Sequence, residues 1–315
     1  MSPAKQQDSL SFVAALFRWL LGAGRPMLIV LLLAGLFFGG WYLAWQRVGP
    51  GVLGAAENRV GPGQVEITPT PKWINSDIRA EVFREPSLNG PLSIMDDNLV
   101  DRIANAFALH PWVAKVRSVK KQHPVPGAAD QTPVSVKVEL DYRRPVCMVE
   151  VPGGLLPVDA EGVLLPSADF SPIEAGRYPR LTGVDRKPAG PAGQRWADAR
   201  VIGGAEIAVA VGPAWEALKL QRIAPLPPAG AAGLGLANVA EGDSSRRGEY
   251  AFCLITRGGT RIFWGYPPGA NAPGELPAAE KIARLQRYQA DHDTLDGPRG
   301  RQELDVRTLR PSVQP

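Results

Sequence analysis

One stretch constrains this chain more than any other: RPMLIVLLLAGLFFGGWYLAWQR, in which Arg25 and Arg47 bracket 21 residues without a charge. Wound into an α-helix, a run of that length crosses the hydrocarbon core of a bilayer. Trp41, Tyr42 and Trp45 gather in its C-terminal half, and rings with one apolar and one hydrogen-bonding end favour the membrane interface. A cleaved signal peptide would carry a shorter apolar region of about 7–15 residues before small residues. Here Gly54, Ala55 and Ala56 lie well beyond the apolar run. The stretch therefore reads as an uncleaved anchor over residues 26–46. Lys5, Arg18 and Arg25 precede it against Asp8, whereas Arg47 and Arg59 beyond it are balanced by Glu57 and Glu66. Positive charge stays inside, so residues 1–25 are expected in the cytoplasm and the bulk of the chain on the far side of an inner membrane. Upstream, LSFVAALFRWLLGAG is amphipathic, which suits either the inner surface or an extension of the span.

The formal charge of +4 is spread along the sequence with no basic run, so nucleic acid is not expected as a partner. His110, His123 and His292 are far apart and none has a second ligand at helical or strand spacing, which points to no metal centre. The glycine-rich pieces GAGR, GPAG and GAAGLGLA lack the strand-to-helix context and the lysine of a phosphate cradle, and no cofactor or small-molecule substrate is expected. Cys147 and Cys253 both fall in the exported part, where a disulfide could persist, but both also sit in apolar runs that suit buried free thiols. The spacing leaves the two readings open.

Residues 47–71 are rich in Gly and Pro and read as a linker. IRAEVFRE then suggests a short strand, and SIMDDNLVDRIANAFALHPW a helix capped by Ser93 or Asp96, with Leu99, Ile103 and Phe107 four apart on one face. WVAKVRSVKKQ carries Val113, Val116 and Val119. TPVSVKVELDYR alternates Val134, Val136, Val138 and Leu140, the period of a half-buried strand. Residues 72–144 are thus expected to form a small α/β domain. Beyond Pro145 the pattern turns mostly to β. A helix is expected between Gln194 and Val211, interrupted at Gly203–Gly204, and the Pro/Ala/Gly-rich 225–248 reads as a flexible insertion. YAFCLITRGGTRIFWGY reads as a hairpin turning at Gly258–Gly259. LPAAEKIARLQRYQADHDTL is a helix with Ile282, Leu285 and Tyr288 on one face, RQELDVRTL a closing strand, and 311–315 a tail.

LLPVDAEGVLLP, Leu155 to Pro166, poses the one catalytic question, because Asp159 and Glu161 could be an acid–base pair. General acid–base work needs environments that split the two pKa values. In VDAEGV the carboxylates instead occupy a tight turn, where Asp159 can accept from the following backbone amides and Gly162 can take positive φ. The turn is the favoured reading, and no catalytic residue is expected.

The same segment carries a resemblance. VKVELDYRRPVCMVEVPGGLLPVDAEGVLLP resembles the junction of the FtsQ/DivIB family of bacterial cell-division proteins, in which a strand ends at a charged residue before Pro-Val and a hairpin reads roughly Leu/Met-Val-Asp-x-x-Gly. HPWVAKVRSVKK is similar to the family's Pro-Trp-Val stretch, and LITRGGTRIFWG, the helix bearing Lys281 to Leu285, and ELDVR follow in the family's order. The resemblance implies an α+β architecture: a single transmembrane helix, a POTRA-like domain (72–144), then a mostly antiparallel β domain with flanking helices (145–310). It implies a non-enzymatic scaffold at the division septum that recruits other inner-membrane division proteins. An exposed edge strand would do this by pairing with a partner strand. The expected edge is Glu303, Leu304, Asp305, Val306, Arg307, Thr308 and Leu309. Helper contacts are expected from the Arg257–Tyr266 hairpin, notably Trp264 and Tyr266, and from Lys281. Two other functions compete. A POTRA-containing export or envelope-assembly module would bring tandem units or a β-barrel, and a membrane-anchored hydrolase would need Asp159 and Glu161 together in a cleft.

Overall fold

The computed structural model describes residues 25–53, 59–88, 92–122, 135–226, 250–270, 274–297, 301–307 and 313–314. The amphipathic stretch before Arg25, most of the 225–248 insertion, and Thr308 and Leu309 of the expected edge lie outside the described residues. The chain divides into two compact units.

The first unit holds helix α1, Arg25–Leu53. Within it Ile29–Arg47 is long and apolar enough to cross a membrane, and none of that window is packed against protein. The helix outlasts the expected span and takes in the start of the expected linker. Beyond it, Val60 donates its backbone N–H to Leu92 and Arg59 bridges Ser93.

The second unit contains both sheets. Its first strand, β1 (Val65–Ile67), runs parallel to β3 (Ser135–Tyr142) inside the segment read as linker. The expected strand at IRAEVFRE is instead helix α2, Ile78–Val82. Asp77 caps it by accepting from Ala80 N–H at 3.2 Å, and the buried pair Ile78 and Val82, four residues apart, shares a face in a helix as it would in a strand, so the cap and not the spacing marks the helix. Helix α3 (Leu99–Ala108) buries Leu99, Ile103 and Phe107 completely, as their spacing predicts. β2 (Val113–Gln122) completes a three-stranded sheet in the order β1-β3-β2. On β3, Val136, Val138 and Leu140 all point into the core.

The larger sheet has eight strands: β4 (Cys147–Val151), β5 (Gly154–Val158), β6 (Arg180–Leu181), β7 (Leu220–Pro225), β8 (Phe252–Thr256), β9 (Arg261–Gly265), β10 (Glu303–Asp305) and β11 (Val313–Gln314). Their spatial order is β11-β10-β9-β8-β7-β6-β4-β5. Of the seven pairings, β4–β6, β6–β7 and β9–β10 are parallel and the other four antiparallel. The sheet is therefore mixed, with antiparallel pairing in the majority as expected and three parallel pairings that were not. Each parallel pair is joined by a connection that contains a helix, which returns the chain to the same end of the sheet: α4 (Pro172–Ala175) between β5 and β6, α5 (Ala199–Val211) between β6 and β7, α6 (Ala278–His292) between β9 and β10.

Helix α5 starts at the Asp198 cap and runs unbroken through Gly203–Gly204. The glycines serve close packing here. A Cβ on Gly204 would stand 2.7 Å from the Leu181 methyls, and one on Gly203 2.9 Å from the Phe252 ring, so only a helix bare at both positions can lie this close to the sheet. Val201, Ala205, Ala208 and Val211 of α5 join Leu181, Ile223, Leu254, Ile262 and Trp264 in one core, which Leu285 of α6 enters while Ile282 and Tyr288 flank it.

Candidate functional site

The far end of the sheet is where the sequence places the partner-binding residues. Gln302 accepts from Arg261 N–H and Val306 donates to Phe263 O. The alternation turns the even-numbered backbone groups of β10 toward β9 and those of Glu303 and Asp305 outward. Outward, however, lies β11: Glu303 pairs with Gln314 and Leu304 with Val313. The outermost strand of the sheet is thus the two-residue β11, drawn from the expected tail, and the Glu303–Asp305 stretch is covered over its first two residues. Leu304 and Val306 face the core. Asp305 and Arg307 bind each other through two arms of the guanidinium, Nε to Oδ1 at 2.9 Å and Nη2 to Oδ2 at 2.6 Å. Burial opposes the Asp305 charge, but the Arg307 hydrogen bonds and charge, helped by Lys281, outweigh it and hold the carboxyl below its ordinary range.

Two of the expected helper residues do not face a partner. Lys281 is 3 % exposed, and its ammonium donates to Glu275 Oε2 at 2.7 Å and to the Trp264 carbonyl at 2.8 Å while lying 5.0 Å from the centre of the Trp264 ring. Trp264 is fully buried. A buried ammonium needs a counter-charge and acceptors, and the Glu275 loop supplies both, so Lys281 clamps α6 to β9 from within. Gly265 makes this possible: it has φ +90°, and any Cβ there would overlap the Glu275 carboxylate. Tyr266 is half-buried and donates its N–H to Glu275. Beside it, Trp264, Tyr266, Pro267, Pro277 and Lys281 are among the walls of a cavity of about 410 Å³. The sequence carried a signal for this cluster, the Trp-Gly-Tyr run followed by an acid and then a lysine on the buried face of a helix, but long-range pairing hid its meaning.

Asp159 and Glu161 border one groove, but only the Asp159 carboxylate is buried and bonded. Asp159 is 2 % exposed; its Oδ1 accepts from the N–H groups of Glu161 at 3.0 Å and Val163 at 2.8 Å, and its Oδ2 from Arg143 Nη1 at 2.8 Å. Gly162 has φ +74°. Glu161 points to solvent. Asp159 therefore shapes the turn as the sequence suggests and also neutralises Arg143. Cys147 and Cys253 are both free and buried. Burial, reinforced by Asp159, pushes the Cys147 thiol up to about 12, so it remains an inert thiol. No group of His, Cys, Asp and Glu among the described residues is arranged to hold a metal ion.

No family model and no curated protein matches the chain.

Proposed function

We propose that the chain is a non-enzymatic, single-pass scaffold of bacterial cell division, anchored in the inner membrane by α1 with its N-terminus in the cytoplasm and its sheets on the outer side. In this reading residues 72–144, together with β1, act as the POTRA-like unit and the larger sheet as the FtsQ-type β domain. Other septal membrane proteins would dock by adding a strand at the β10–β11 end. The observation that carries the proposal is spatial: the three closing motifs on which the resemblance rests, the TRGGT hairpin of β8 and β9, the Lys281 helix α6 and the LDVR strand β10, lie side by side at one end of the sheet. The outermost strand, β11, is only two residues long and leaves Asp305 of β10 uncovered, and so short an edge suits regulated pairing because it discourages aggregation.

Strand addition depends on backbone N–H groups that proline lacks. Asp305→Pro removes the outward N–H that β11 leaves uncovered, whereas Asp305→Ala keeps it while losing the same contact to Arg307. With matching melting profiles, the proline variant should lose co-purification of the division complex and the alanine variant keep it. Equal retention by both would remove the edge from the proposal.

A further inference from the structure

A second surface lies at the opposite end of the larger sheet. Ala114 of β2, the connection Tyr142–Val146, the Asp159 turn, Arg177–Pro179 and the end of α5 enclose a groove of about 670 Å³, within the range of sites that hold small ligands or short peptide segments. Its walls are amphipathic. Tyr142, Tyr178 and Trp215 supply rings, and Val209, an aliphatic side chain on α5, is 48 % exposed. Arg144 and Arg177 are both exposed on it, and neither guanidinium has a hydrogen bond or ion pair among the described residues. Glu174, whose carboxylate feels the Arg177 charge, is already engaged by Ser171 in a capping box. Arg143 lines the same groove; it commits Nη1 to Asp159 and leaves Nε buried with no acceptor. The remaining acids of the wall are Glu216, paired with Arg257, and Glu161, which is unpaired. Among uncommitted groups the groove thus offers two guanidinium forks against one carboxylate.

We propose that this groove docks an acidic, partly apolar peptide segment of another protein, with Arg144 and Arg177 gripping its carboxylates and Val209 and the rings covering its apolar side chains. Guanidinium forks match carboxylates in shape as well as charge, and the exposed valine favours an amphipathic chain over a bare anion. The site is separate from the β10–β11 edge: five strand steps of about 4.8 Å divide β4 from β10, so both could be occupied together. The inference does not rest on the division role.

The test uses the full chain in phosphatidylcholine nanodiscs and a fluorescein-labelled hexapeptide, Glu-Leu-Glu-Tyr-Glu-Leu, with a counterpart carrying Gln for every Glu. Anisotropy should show the acidic peptide binding about tenfold tighter than its counterpart, a loss of about 1.4 kcal/mol on removing the charges. Arg144→Gln with Arg177→Gln should erase that preference. Glu161→Gln should tighten binding, and Val209→Asp should abolish it without moving the melting profile. Equal binding of the two peptides, or an unchanged preference in the double arginine variant, would overturn the proposal. So would full displacement by millimolar inorganic phosphate, which would make this a small-anion site.

Discussion

At the scale of single residues, Lys281 and Asp305, both expected at a partner surface, are tied into the molecule by ion pairs to Glu275 and Arg307. Lys281→Ala leaves the Glu275 carboxylate, 14 % exposed, without its counter-charge, and breaking such a pair costs about 3 kcal/mol. Thermal melting should fall sharply, whereas a pure contact residue would lower partner affinity and leave melting unchanged. For Asp305 the sign follows from its depressed pKa. The ordinary value is 3.8, so the charged form's contribution is complete above about pH 4 and fades as pH falls through the lower folded value. Asp305→Asn should cost about 2 kcal/mol at pH 7, and the gap from the parent should close in denaturant titrations below pH 4. A gap independent of pH would mean that the charge is not what Arg307 holds. Both roles were hidden in the sequence because they depend on partners that a single chain position does not reveal: Glu275 sits in a loop, and Arg307 follows Asp305 by two residues in a segment that reads simply as an alternating strand. The Asp159 turn was legible because its backbone donors, Glu161 and Val163, follow within four residues, whereas the Arg143 contact comes from another element.

At the scale of elements, local periodicity was a good guide wherever it was strong. Leu99, Ile103 and Phe107 marked α3, the run from Val136 to Leu140 marked β3, and the double glycine marked the β8–β9 turn. It misled at IRAEVFRE, where the spacing of Ile78 and Val82 suits either element and the Asp77 cap decides for helix, and at Gly203–Gly204. There, glycine's low helix propensity suggested a break, but tertiary packing decides. Alanine would gain about 1 kcal/mol in propensity yet force a methyl into Leu181 at 2.7 Å, and overpacking costs about 1–3 kcal/mol. Gly204→Ala should therefore lower stability on balance in thermal melts. A higher melting temperature would show that the helix can retreat from the sheet. The parallel pairings were not legible either, because strand direction is fixed by which end a crossover helix returns to.

At the scale of the whole molecule, the second unit is cross-tied by hydrogen bonds of long reach. Asp169 accepts from the Trp112 indole at 2.6 Å and from Ser76, its carbonyl accepts from Asn75 at 2.7 Å, Trp73 donates to Arg143 O and Tyr142 to Thr68 O. Asp169→Ala strands a buried indole N–H, at a cost of about 2 kcal/mol, and because the bonds to Asp169 join the smaller sheet's elements to the larger sheet's, calorimetry of the full chain should show one transition shifted down. A separate low-temperature transition in the parent would mean that the two sheets unfold independently. In the proposed reading this chain works at the division site of a bacterial envelope. A fluorescent protein fused to the N-terminus and imaged in dividing cells tests that proposal most directly: a band at the constriction is expected, and even labelling of the whole envelope in visibly constricting cells would contradict it.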